Sequence, residues 1–224
     1  MSGDIPAVED LRRAVIENCR RMNALGINQG TSGNISVRVP DGLLVTPSGM
    51  SYDSMAPDDI VFMRLDGHVP DGQRAPSSEW RFHRDILAAR PDAGAVVHTH
   101  AMFATTLSCL HKDIPAFHYM VAVAGGSSIR CAAYATFGTQ DLSDHALAAL
   151  EDRKACLLAN HGMIALSETL DRAMAVAVEV ETLAAQYWRA LQIGTPVLLP
   201  EDEMQRVLAK FATYGRQPDD GGAE

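Results

Sequence analysis

Apolar residues recur at helical spacing from Val8 through Leu11, Val15, Cys19 and Met22 to Leu25. This predicts an amphipathic helix over about Val8–Leu25, with Gly26 as its stop. The period then shortens. Ile35-Ser36-Val37-Arg38-Val39, a Pro40-Asp41-Gly42 turn, Leu43-Leu44-Val45-Thr46 and Ile60-Val61-Phe62-Met63 read as an antiparallel meander. Ser77 or Ser78 can cap a helix running to Arg90, which Pro91-Asp92 ends. Further strands are expected at 94–98, 119–123, 130–135 and 155–160, with helices over about 101–110 and Asp141–Glu151. Met163-Ile164-Ala165-Leu166 continues the sheet. A long helix from about Thr169 to Ile193 is closed by Gly194. A last helix near 201–213 precedes a polar tail, Gln217 to Glu224, expected to be disordered. Short apolar runs between helices suit an α/β fold, a sheet covered by helices on both faces. No repeat or linker interrupts the chain, so one domain over residues 1–224 is expected.

Composition narrows the function. The 224 residues are enough for a sizeable core, and 47% hydrophobic with 21% charged residues is ordinary for a globular protein. A formal charge of −9 with no basic block argues against nucleic acid, whose phosphates need clustered Lys and Arg. No apolar stretch reaches the roughly 18–20 residues of a membrane span, and the N-terminus lacks the pattern of a signal peptide. The four cysteines, Cys19, Cys109, Cys131 and Cys156, are scattered and lack CxxC spacing. They read as buried free thiols of a cytoplasmic protein.

The chemistry concentrates in a few segments. Ala95-Val96-Val97-His98-Thr99-His100 ends a buried strand in two histidines on one face, about 6–7 Å apart along the backbone. Both imidazoles can reach one ion, and His161 follows a second apolar run, 155–160. Gln29-Gly30-Thr31-Ser32-Gly33-Asn34 and Thr46-Pro47-Ser48-Gly49 combine hydroxyls with glycines, as anion-binding loops do. Ser77 and Ser78 stand where a helix N-terminus favours a phosphate. Glu79, expected in the first turn of that helix, serves either as a partner for the helix dipole or as an acid/base beside a metal. His83, four residues on, reads as structural. Nothing local decides whether His118-Tyr119 is packed or catalytic.

These residues carry a family resemblance. Asn28-Gln29-Gly30-Thr31-Ser32-Gly33-Asn34, Pro76-Ser77-Ser78-Glu79-Trp80-Arg81-Phe82-His83, Val96-Val97-His98-Thr99-His100-Ala101, Tyr134-Ala135-Thr136-Phe137-Gly138-Thr139, Asn160-His161-Gly162 and Lys210-Phe211-Ala212-Thr213-Tyr214-Gly215 occur in that order from Leu11 to Gly215. The chain thereby resembles the class II aldolase/adducin family, metal-dependent sugar-phosphate aldolases of the L-fuculose-1-phosphate type. The fold so implied is a three-layer α/β/α sandwich around a central mixed, largely antiparallel sheet. His98, His100 and His161 would bind one divalent ion, zinc first and manganese or cobalt as alternatives, with Glu79 able to complete the shell. Gly33, Asn34, Ser48, Gly49, Ser77 and Ser78 would hold the substrate phosphate. Tyr119 would move the proton on the aldehyde-side oxygen, and Phe137 and Tyr214 would line the aldehyde portion. The family's cyclic homotetramers, with sites at subunit boundaries, imply that part of this set comes from a neighbour.

The implied reaction cleaves a ketose 1-phosphate to dihydroxyacetone phosphate and an aldehyde, the metal stabilising the charge left on the ketone half. Glu79, as the acid that returns a proton to carbon, is expected to have a perturbed pKa, close to neutral when it acts. No lysine stands in a motif suited to a Schiff base. A ribulose-phosphate 4-epimerase and a superfamily decarboxylase remain as rivals, the first disfavoured by Glu79 where such epimerases tend to carry Asp. A non-enzymatic adducin-like domain would not need the histidines. Met102-Phe103 after His100 is consistent with an apolar aldehyde end, as in 5-methylthioribulose 1-phosphate or 5-deoxyribulose 1-phosphate, but the sequence leaves open which of the two faces the site.

Overall fold

The computed structural model describes residues 8–211. Its elements run α1 (Val8–Ala24), β1 (Asn34–Val39), β2 (Gly42–Val45), β3 (Val61–Arg64), α2 (Trp80–Ala89), β4 (Ala95–Thr99), α3 (Met102–Ser108), β5 (Arg130–Ala132), α4 (Gln140–Ala149), β6 (Ala155–Leu158), β7 (Gly162–Ser167), α5 (Leu170–Ile193) and α6 (Glu201–Phe211). The strands form one seven-stranded sheet in the order β3-β2-β1-β4-β7-β6-β5. Every neighbouring pair is antiparallel except β5 with β6. The expected α/β/α sandwich with a mixed, largely antiparallel sheet is therefore what the chain forms.

The layers follow from side-chain alternation. On one face Ile35, Val37, Val97, Leu157 and Ala165 pack against Val15 and Cys19 of α1, Leu107 of α3 and Val180 of α5. On the other, Val45, Val96, Ile164 and Leu166 pack against Phe82, Ile86 and Leu87 of α2 and Leu142 and Ala146 of α4. Strand β4 is buried on both faces, which is why its sequence is an unbroken apolar run until His98. Its polar end sits between two antiparallel partners. His98 pairs with Asn34 of β1 on one side and Ile164 of β7 on the other. His161, directly before β7, therefore arrives beside His98 and His100.

Several expectations need correction. The run at 119–123 is not a strand but a 3₁₀ helix, Tyr119–Ala124. The His118 ring accepts its Met120 N–H at 3.2 Å, and Gly125 ends it at φ 90°. Short apolar runs are ambiguous by period, and this one buries Val121, Ala122 and Ala124 without a strand partner. The strand expected at 130–135 stops at Ala132, and α3 is shorter than expected, ending at Ser108. Helix α2 starts at Trp80, and neither serine caps it. Ser77–Glu79 form a turn in which the Ser77 carbonyl accepts the Trp80 N–H at 3.0 Å, and Glu79 stands just before the helix rather than in its first turn. Cys19 and Cys156 are buried free thiols, but Cys109 is exposed and Cys131 half-buried. Residues 212 and 213 of the last expected helix, Tyr214 and the polar tail lie outside the described residues.

The approach of β7 to β4 leaves no room for a side chain at Gly162, where a Cβ would collide with the Thr99 carbonyl oxygen and stand 3.1 Å from His100 Cδ2. Gly162→Ala is expected to lose about 1–3 kcal/mol by overpacking. Urea unfolding measures this; an unchanged midpoint would show that the junction has slack.

Candidate active site

Three imidazoles meet at the end of the β4–β7 pair. The candidate ligand atoms of His98, His100 and His161 lie within 4.8 Å of one another, and their ring centroids form a near-equilateral triangle of 4.8, 4.9 and 5.0 Å, each pair edge-on. His98 Nδ1–H donates to the Met163 carbonyl at 2.9 Å, which leaves the Nε2 lone pair facing the cluster. That nitrogen stands 3.2 Å from His100 Nε2. Two nitrogens bound tetrahedrally to zinc at about 2.0–2.1 Å would be about 3.3 Å apart, so the donors present fit a divalent ion.

Glu79 adds a carboxylate to the same point. Its Oε2 lies 3.3 Å from His98 Nε2 and its Oε1 3.1 Å from His161 Nε2. Asn34 Nδ2 donates to Oε2 at 2.8 Å, whereas the buried Oε1 has no well-aligned donor. Burial works to raise the Glu79 pKa, but the imidazoles of His98 and His161 and the Asn34 amide outweigh it and hold the carboxyl well below its usual range. Glu79 is thus perturbed, as expected, but at rest towards the anion rather than towards neutrality. A carboxylate aimed at the cluster suits a fourth ligand.

Burial pushes the pKa of His98 down to about 3, against the opposing Glu79 charge, and lowers that of His100 as well. His83 is fully buried beneath the cluster with its pKa likewise at about 3.

A groove of about 420 Å³ opens above the histidines. Ser48, Gly49 and Ser78 line it with hydroxyl and backbone groups, joined by Thr31 and Ser32, while Tyr134 and Phe137 form an aromatic side. Phe137 is 65% exposed, free for a ligand to cover. Met102, 58% exposed, lines an adjoining recess that shares His100 and Ser32. Phe103 instead turns towards α5, its ring 5.6 Å from that of Trp188, so Met102 is the residue of the pair that faces the site.

The remaining candidates are placed less directly. Asn34 touches Glu79, but Ser77 directs its hydroxyl to the Glu79 N–H at 3.3 Å, within its own turn. The Gly33 carbonyl accepts the Tyr52 hydroxyl at 2.5 Å, behind the groove. Tyr119 is not brought to the histidines. It stacks on His118 and faces a separate groove of about 670 Å³ formed with Phe117, Met120, Val207 and Phe211. Tyr214 lies outside the described residues.

Sequence reasoning missed several supports. Asn28 Oδ1 accepts from the Ser32 hydroxyl at 3.0 Å and the His100 N–H at 3.4 Å, tying the first loop to β4. Asn160, at φ 54°, accepts from His111 Nε2 at 2.6 Å and lines the groove. Its place directly before His161 was the available signal.

Comparison with known proteins agrees with this geometry. Residues 13–188 match the family model described as Class II Aldolase and Adducin N-terminal domain. The chain is 63% identical over 205 residues to a 5-methylthioribulose-1-phosphate/5-deoxyribulose-1-phosphate aldolase of Rhodospirillum rubrum, covering 92% of both chains. It is 51% identical to the L-fuculose phosphate aldolase of Escherichia coli K12, over 92% of this chain and 95% of that one. A solved L-fuculose 1-phosphate aldolase superimposes with a TM-score of 0.89 at 40% identity, covering 94% of this chain and all of that one.

The buried imidazoles make stability depend on pH. Unfolded histidines titrate near 6.5, whereas His83 and His98 stay neutral in the fold down to about 3. Between those values the unfolded chain binds more protons, so stability falls as pH falls. For chelator-stripped protein the expected loss from pH about 6.5 to about 4.5 is up to about 1.4 kcal/mol per pH unit for each histidine. Glu79 stays ionised in the fold through that window, and near its lower end, where an unfolded glutamate begins to take up a proton, it steepens the loss. Urea midpoints across the range measure it; a flat profile would contradict neutral burial.

Proposed function

We infer the chemistry of this chain from its family: it belongs to the class II aldolase and adducin family and is a class II aldolase, a lyase. We propose that its substrate is a ketose 1-phosphate with an apolar aldehyde end, of the 5-methylthioribulose 1-phosphate or 5-deoxyribulose 1-phosphate type. The reading treats residues 1–224 as one aldolase-type domain. The observation that carries it is a histidine–carboxylate cluster in a groove that presents Ser48, Gly49 and Ser78 together with the exposed Phe137 ring, and beside it a recess that holds the exposed Met102.

In this reading His98, His100 and His161 hold one divalent ion, zinc first, with Glu79 as a further ligand. The ion supplies Lewis-acid stabilisation of the charge that develops on the ketone half. Gly33, Asn34, Ser48, Gly49, Ser77 and Ser78 bind the phosphate through N–H and hydroxyl donors. Tyr119 carries the proton away from the C4 hydroxyl as the C3–C4 bond breaks, and Glu79, an anion at rest, takes up a proton in the course of the cleavage before it returns one to C3 of the dihydroxyacetone phosphate half. Phe137 and Tyr214 shield the aldehyde. Tyr119 lies away from its own histidine groove, which supports a homotetramer whose sites take Tyr119 from a neighbouring subunit. Free thiols and a phosphorylated substrate fit a role in the cytoplasm, in salvage of the sugar end of nucleosides.

Release of dihydroxyacetone phosphate, measured with and without EDTA, tests the reaction. EDTA-sensitive release at least about tenfold faster from 5-methylthioribulose 1-phosphate than from L-fuculose 1-phosphate is expected, as a pocket fitted to one small apolar group allows. The reverse preference would overturn the substrate, and release from neither would favour the epimerase or decarboxylase reading. For the shared site, Tyr119→Phe and His98→Ala are each expected to be inactive alone and to regain activity when co-assembled. No complementation would place Tyr119 in its own subunit's site.

A further inference from the structure

Beneath the carboxylate lies a buried hydrogen-bonded chain whose polarity runs one way. Glu79 Oε2 accepts from Asn34 Nδ2 at 2.8 Å, and an ionised carboxylate can only accept. The amide oxygen of Asn34 is thereby turned to His83 Nε2, 2.6 Å away, so that nitrogen must carry the proton. His83 Nδ1 then has only a lone pair, and the Ser36 hydroxyl, 2.8 Å away, must donate to it. Ser36 and Asn34 are alternate residues of β1 and share the face that meets α2, on which His83 lies four residues after Glu79. Ser36 and His83 are fully buried and Asn34 is 5% exposed, so no water competes for these groups.

We propose that His83 is a positioning residue for the reaction: as a fixed Nε2–H tautomer it locks the Asn34 amide with its NH₂ towards Glu79. The inference rests on the assignment of Glu79 to the aldolase site. An amide's two ends are nearly equal in shape, so packing alone does not choose between them; a hydrogen bond does. With the amide reversed, its oxygen would face the carboxylate and push it from its place. With the amide held, Oε2 is anchored and Oε1 stays directed at the histidines. Such outer partners of metal-site residues fix orientation rather than touch substrate.

Two measurements test this. The first needs no substrate: two-bond ¹H–¹⁵N correlation spectra of ¹⁵N-histidine-labelled protein at neutral pH, with His83→Gln identifying the His83 signals. The proposal expects the Nε2–H tautomer, and an Nδ1–H tautomer would overturn it. The second uses His83→Leu and His83→Gln and follows proton exchange on dihydroxyacetone phosphate together with bound metal. His83→Leu is expected to exchange about 10–100-fold more slowly while keeping its metal. His83→Gln, which offers both a donor and an acceptor, is expected to recover most of the rate. Exchange by folded His83→Leu at the wild-type rate would overturn the proposal, as would loss of rate without rescue by Gln. If the leucine variant does not fold, the spectrum and the glutamine variant decide. Failure of the aldolase reading would look different, with wild-type protein inactive on both ketoses while the tautomer persists.

Discussion

Three imidazole edges and one carboxylate brought to a single point at the end of the β4–β7 pair are the constraint to which the rest of the structure answers. The lone pair of His98 Nε2 faces His100 Nε2 at 3.2 Å, with both Glu79 oxygens alongside. Such a set of donors is unfavourable in isolation and favourable around a cation. The backbone enforces it. The register of β4 with β7 delivers His98, His100 and His161 together, and the absence of a side chain at Gly162 lets the strands close.

The cost of burying polar groups here is met by saturation rather than by solvent. Ser36, His83, Asn34 and Glu79 form an unbroken chain beside the apolar layer of Phe82, Val96 and Ile164. A half-satisfied network in that place would be worse than an apolar core. Burial holds His83 neutral, and the chain ends on Glu79 with Oε2 anchored by Asn34 and Oε1 turned to His161. Fold stability and the geometry of the site are in this way the same set of hydrogen bonds.

Much of this was legible in the chain. The alternation of β1 and the unbroken runs of β2 and β4 marked strands by period and burial, and His98-Thr99-His100, weak alone, pointed to a metal in the company of Ser77-Ser78-Glu79 and the glycine-rich loops. What escaped did so for physical reasons. The apolar run after His118 carries no period that separates a strand from a 3₁₀ turn. The Ser77-Ser78-Glu79 turn looks like a helix start because serine is equally suited to both. His83 looked merely structural because its partners, Ser36 and Asn34, come from a distant strand. Tyr119 stands apart from the histidines because the 3₁₀ turn that carries it packs against α5 and α6, contacts that no local pattern encodes.

The central claim is that these four side chains hold one divalent ion. Elemental analysis of purified wild-type protein and of His98→Ala, each folded by circular dichroism, tests it most directly. The account predicts one divalent ion per wild-type chain and near-complete loss in the variant. A wild-type protein without bound metal, or a variant that retains its full complement, would contradict it.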